Sequence, residues 1–182
     1  MAVSTPGTGL VVLVGPPSSG KTTVGTALAQ RLGVVFRDTD HDVEAEAGTT
    51  IADLFVTQGE PHFRALEERA VARALAEHTG VLALGGGAVL SAHTRALLVD
   101  LVAEGVTVVW LDVDLPSAAQ RVGLSRDRPI LGINPRQMLR QMLETRAPLY
   151  TEVSTLHVRT GGRTVEDVVA DVLAELGQES AP

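Results

Sequence analysis

The chain has 182 residues, 45% of them hydrophobic but only 3% aromatic, which predicts one α/β domain with a core of Val, Leu and Ala. A formal charge of −7 excludes a broad basic face for nucleic acid, and the lack of cysteine excludes disulfides, thiolate nucleophiles and cysteine-bound metals. No apolar run approaches the roughly 20 residues that span a bilayer, and residues 1–9 lack the charged and apolar regions of a secretion signal, so a cytoplasmic protein without nucleic-acid or membrane partners is expected.

Short apolar runs alternate with helical patterns, the mark of parallel strands joined by crossover helices. The first strand is predicted at Leu10–Val14 and the first helix at Lys21–Leu32. A strand at 34–37 follows, then helices at 41–47, 51–58 and 60–77, and a strand at 81–84. Next come a helix at Ala92–Ala103, a strand at 106–111, and helices at 115–122 and 135–151. A strand at 155–158 and a helix at 165–176 complete the pattern. Strands after the first are nearly continuous apolar runs, as for strands buried on both faces. Asn134-Pro135 supplies a cap and a first-turn proline, and Glu166 and Asp167 suit the positive end of the last helix. The Gly-, Arg- and Asp-rich stretch 123–134 fits neither pattern and reads as a flap, while 177–182 reads as a frayed tail.

The only lysine of the chain, Lys21, lies in Gly15-Pro16-Pro17-Ser18-Ser19-Gly20-Lys21-Thr22, between the first strand and the first helix. Gly, four residues and Gly-Lys-Thr is the spacing of a phosphate-binding loop. Glycines let the backbone wrap so that several N–H groups face one anion. Lys21 can reach the outer phosphates, and the Thr22 hydroxyl suits Mg²⁺. A nucleotide triphosphate is therefore the expected ligand. An Asn-Lys-x-Asp guanine motif is impossible with one lysine, and the chain is short for an ATPase motor, which leaves the small metabolite kinases.

Asp38-Thr39-Asp40 follows the second strand and should open onto the same crevice, because ligands of open parallel sheets bind beyond the strands' carboxyl ends. One acid can serve the metal shell and the other an acceptor hydroxyl. Gly85, Gly86 and Gly87 end the third strand, so a substrate can approach the backbone and take an N–H. Arg64 and Arg146, if they converge, form a forked receptor for a carboxylate, with Glu67 orienting Arg64. Arg121, Arg128 and Arg163 make a further group, Arg128 lying in the flap, where an arginine on a closing lid would neutralise a transferring phosphoryl group.

The phosphate loop, Asp38-Thr39-Asp40, Phe63-Arg64-x-x-Glu67, Gly85-Gly86-Gly87, Arg128-Pro129, Arg146-Ala147-Pro148-Leu149-Tyr150 and Arg163 occur in an order that resembles the shikimate kinase family over nearly the whole chain. The resemblance implies a single kinase domain with a five-stranded parallel sheet of order 2-3-1-4-5, a substrate-binding helical region at about 42–70 and a lid at about 121–134. It implies ATP and Mg²⁺, with phosphoryl transfer to the 3-hydroxyl of shikimate, and a monomer is expected because no long apolar stripe is left unassigned. Pro17, Ser18, Ser19, Gly20, Lys21, Thr22 and Thr23 would hold the phosphates, with Thr22 and Asp38 at the metal. Asp40 would take the hydroxyl proton, and Lys21 and Arg128 would act on the transferring group. Arg64, Arg146 and the Gly86 N–H would bind the carboxylate, beside Glu67, Gly85 and Gly87. Phe55 and Phe63 would wall the ring, and Arg121 and Arg163 would flank adenine. Ser18 departs from the pattern, standing where the family commonly has glycine, which restricts the loop. His41 is a weak rival base beside Asp40, and Asp112 and Asp114 read as solvated turn residues. Rival readings are a kinase of another polyol acid such as gluconate, and a nucleotide-binding regulatory module.

Overall fold

The computed structural model describes residues 9–124 and 135–177. Five parallel strands, β1 (Leu10–Val14), β2 (Phe36–Asp38), β3 (Gly80–Ala83), β4 (Thr107–Asp112) and β5 (Leu156–Arg159), form one sheet in the order β2-β3-β1-β4-β5. The helices are α1 (Lys21–Leu32), α2 (Thr39–Ala47), α3 (Ile51–Glu77), α4 (Ala92–Ala103), α5 (Leu115–Leu124), α6 (Pro135–Val153) and α7 (Val165–Glu175).

Strand alternation sorts the core into two layers. Val12 and Val14 of β1, with Leu82 of β3 and Val108 of β4, meet Val71, Leu98, Tyr150 and Val153 on the face covered by α3, α4 and α6. Val11 and Leu13 meet Val24, Leu28, Val168 and Val172 on the face covered by α1 and α7. All five residues of β1 are buried, which explains the unbroken apolar run of the central strand. A satellite core of Val43, Leu54, Phe63, Leu66 and Ala70 joins α2 to α3, and another of Val113, Ala118 and Leu139 joins α5 to α6.

The second strand starts two residues later than predicted. Gly33 closes α1 in a left-handed turn and the Val34 N–H still bonds the Ala29 carbonyl, so the chain has not yet left the helix. Val34 and Val35 are accordingly exposed. Helix α2 starts two residues earlier than predicted, because Asp38 caps it by accepting the Asp40 N–H at 3.0 Å. The two helices expected at 51–58 and 60–77 form α3, interrupted at Gly59, whose φ of 81° and ψ of 167° only glycine adopts readily. Pro61 then occupies the first turn of the second half. Strands β3, β4 and β5 are each displaced by a single residue from expectation, and a short 3₁₀ turn at Ala88–Leu90 was not anticipated.

Candidate active site

The sheet order sets the carboxyl ends of β2, β3 and β1 side by side, so that the acids, the three glycines and the phosphate loop share one edge. The phosphate loop ends at Gly20, in a left-handed conformation, and α1 begins with no side-chain cap on its first N–H groups. These donors and the positive end of the helix form an anion site. The Lys21 ammonium is buried and donates to the carbonyls of Gly15 and Pro16, each at 2.8 Å. The Thr22 hydroxyl donates to Asp38 Oδ2 at 2.8 Å. One hydroxyl and one carboxylate beside an anion cradle fit Mg²⁺, which takes few protein oxygens when it shares phosphate ligands.

Ser18, among the described residues, is the one non-glycine with positive φ, at 66°. Its departure from the family's usual glycine thus falls where an L side chain is strained. Arg121, from α5, braces the same loop: Nη1 donates to the Ser18 carbonyl and Nη2 to the Thr160 carbonyl, both at 2.9 Å. Arg163 lies in the turn after β5 and is tied by an ion pair of 2.6 Å to Asp171 on α7. Arg128 falls outside the described residues.

The three glycines have three different neighbours. A methyl group on Gly85 would come within 2.7 Å of Asp40 Oδ1 and also strike Glu67. On Gly86 it would lie 2.6 Å from Pro17 of the phosphate loop, and on Gly87 it would overlap the Arg64 guanidinium. Only a bare backbone admits the acids, the loop and the arginine together. The turn's three carbonyls are all engaged. Gly85 accepts from the Ala88 N–H at 3.0 Å and Gly87 from the Leu90 N–H at 2.9 Å. Gly86 accepts from Arg146 Nη1 at 3.0 Å and from the Tyr150 hydroxyl at 2.6 Å. The Gly85 N–H donates to Thr39 Oγ1 at 3.1 Å, whereas the N–H groups of Gly86 and Gly87 have no partner among the described residues. They are the turn's unspent donors.

Arg64 donates through Nη1 to Glu67 at 2.5 Å and through Nη2 to Glu60 at 3.2 Å, and stands 4.9 Å from the Phe63 ring centre. Glu67 is buried, and this desolvation lifts its carboxyl above the usual range although Arg64 and Arg146 pull the other way; Asp40 adds to the rise. Asp40, Arg64, Glu67 and Arg146 are therefore mutually close around one turn. A cleft of about 360 Å³ runs beside them, lined by Arg64, Glu67, Gly87 and Ser91 among others. Phe55 and Phe63 pack as a tilted pair with ring centres 4.6 Å apart, Phe63 being core and Phe55 half-buried.

His41 points into solvent on α2. Asp114 caps α5 through the Ser117 N–H at 2.8 Å, which holds its carboxyl below the usual range, and Asp112 pairs with His157 at 3.0 Å. Sequence reasoning assigned no part to Thr39, Tyr150 or Thr160. The signal for Tyr150 was its position four residues after Arg146, which places both on one face of α6. Nothing local in the sequence marks Thr160 as the partner of Arg121.

The family model described as shikimate kinase matches residues 17–177. A shikimate kinase of Salinispora arenicola is 59% identical over 91% of this chain and 96% of its own length. One from Streptomyces avermitilis is 53% identical over 94% and 97%. The solved shikimate kinase from Acinetobacter baumannii, in complex with shikimate, superposes with a TM-score of 0.85 at 36% identity, covering 92% of each chain. With the phosphate loop, the acids and the three-glycine turn gathered at one sheet edge, this extent of likeness means that the chain belongs to the shikimate kinase family.

Proposed function

We propose that the chain transfers the γ-phosphoryl group of ATP to the 3-hydroxyl of shikimate, giving shikimate 3-phosphate and ADP in aromatic amino-acid biosynthesis. The observation that carries this reading is the meeting of Asp40, Arg64 and Arg146 around Gly85, Gly86 and Gly87, directly against Pro17 of the phosphate loop. The region at about 42–70 is then the substrate-binding part of a single domain, held by its own small core.

The loop backbone from Pro17 to Thr23 and Lys21 bind the phosphates. To do so the Lys21 ammonium leaves the Gly15 and Pro16 carbonyls for a phosphate oxygen. Thr22 and Asp38 would hold Mg²⁺, which would supply charge neutralisation at the phosphates. Asp40 accepts the proton of the acceptor hydroxyl; its backbone is pinned by Asp38, so base and metal carboxylates are set by one local turn. Arg64 and Arg146 clamp the carboxylate of shikimate, and the free N–H groups of the glycine turn complete its shell. Glu67 keeps the Arg64 fork aimed while its own second oxygen stays near the hydroxyl-binding side. Arg121 and Arg163 border the adenine side, Arg121 through its brace on the loop.

The acceptor is tested by a coupled ADP-release assay offering shikimate, quinate and gluconate in parallel. Fast release with shikimate alone supports the reading; release with gluconate and not shikimate overturns it. We also read the enzyme as a cytoplasmic monomer. Among the described residues no helix is long and apolar enough to cross a membrane. Sedimentation velocity checks the monomer, and a dimer mass would refute it.

A further inference from the structure

Tyr150 is the chain's only tyrosine, sits on α6 one turn beyond Arg146, and is 1% exposed. Its ring stacks on Trp110, the only tryptophan, with ring centres 5.7 Å apart, and Trp110 stacks in turn on His157 at 4.2 Å. Its hydroxyl donates to the Gly86 carbonyl at 2.6 Å and also interacts with the Arg146 side chain, which bonds the same carbonyl at 3.0 Å. Burial pushes the phenol's pKa well up, so the hydroxyl remains a donor at any working pH.

A peptide unit is planar, with its C=O and N–H pointing opposite ways. Fixing the Gly86 carbonyl toward α6 therefore fixes the Gly87 N–H away from α6. Glycine peptides rotate easily, and no side chain on residues 85–87 resists a flip. The restraint has to come from outside the turn. Thr39 and Ala88 hold the Gly85 end, and on the Gly86–Gly87 unit the donors are Arg146 and Tyr150. Arg146 is also a substrate ligand in the reading above, so its bond to the turn must share the guanidinium with a carboxylate. Tyr150 has no such second task.

We propose that Tyr150 is a positioning residue for the acid substrate: its hydroxyl locks the Gly86–Gly87 peptide and seats Arg146, so that the turn's N–H donors and the guanidinium are oriented before shikimate arrives. The proposal rests on the shikimate reading, which wild-type turnover tests by itself. The hydroxyl of Tyr150 bonds the glycine turn and not the phosphate loop, although its ring lines a small cleft with Pro16.

The test compares Tyr150→Phe with Val153→Ala, a buried residue of the same helix and core without a polar group. Tyr150→Phe keeps the ring and its stacking but removes the donor. It should raise the KM for shikimate about tenfold, the scale of a small misplacement of binding groups, with the KM for ATP within about twofold of wild type. Val153→Ala should lower Tm and leave the shikimate KM within about twofold. An unchanged shikimate KM in Tyr150→Phe overturns the proposal, as does an equal rise in both KM values. An equal rise in Val153→Ala also overturns it, since the effect would then be packing. Absence of shikimate turnover in the wild type would instead refute the reading beneath it.

Discussion

The two halves of the proposed active site are built in opposite ways. The phosphate loop lies within one stretch, Gly15 to Thr23, between β1 and the first turn of α1, and Lys21 bonds carbonyls five and six residues away, while Asp38 and Arg121 reach the loop from further along the chain. The acceptor half is drawn from α2, α3, the turn after β3, and α6, with contacts such as Arg146 to Gly86 across 60 residues. Local geometry needs only the right spacing of glycines and one lysine. The remote kind needs the sheet order, the kink at Gly59 and the packing of α6 to be right at once.

That contrast gives an ordered set of tests. Lys21→Ala removes the one charged side chain of the loop and should reduce phosphoryl transfer by about 10³-fold or more, measured as ADP release. Retained turnover would mean that the loop backbone suffices. Asp40→Asn should lower kcat by about 10²- to 10⁴-fold, the range for losing a general base, with ATP affinity by calorimetry unchanged. Weakened ATP binding would show the two halves to be less separate than their construction suggests. Arg146→Ala should weaken shikimate binding by roughly 2–5 kcal/mol, as for truncating one partner of a buried charged pair, with ATP binding spared. A shift in shikimate Kd of under twofold would exclude the clamp.

A smaller effect concerns Glu67, whose carboxyl burial raises above its unfolded value. The folded chain holds that proton more tightly than the unfolded chain, so the contribution is fully present below the unfolded pKa and is lost as pH rises through the folded one. Relative to Glu67→Gln, the wild type should therefore gain stability as pH falls from neutral through the carboxylate range. Denaturant midpoints of both proteins across pH would reveal it, and parallel curves would contradict it. The smallest change expected is in the nucleotide half. Ser18→Gly relieves a left-handed serine and should alter stability by no more than about 1 kcal/mol, because the freedom glycine adds to the unfolded chain offsets part of the relief. A Tm drop of many degrees would mean that the serine side chain has a role of its own.

Most elements were legible because their residues state their own conformation. The apolar run of β1, Pro135 in the first turn of α6, and Glu166 and Asp167 in the first turn of α7 all act within a turn of where they sit. Boundaries slipped where a neighbour decided them. Val34 looks like strand but its N–H still bonds the end of α1, and Asp38 looks like a loop acid but starts α2. In the site, Arg64 and Glu67 were readable as a pair because three residues separate them on one helix. The brace from Arg121 to Ser18 and Thr160 was not, because those groups are 103 and 39 residues away.

Spacing, capping and the pattern of apolar residues by themselves determined the phosphate loop, the alternation of strands and helices, and the inventory of charged groups, since each is a property of neighbours along the chain. Tertiary structure alone decided that the three glycines after β3 would be the meeting point of an acid pair, a loop proline and two arginines, and that Tyr150 would reach their backbone. The physical reason is that such close approach depends on which strand ends lie side by side and on where α6 packs, and neither is encoded within any single stretch of residues.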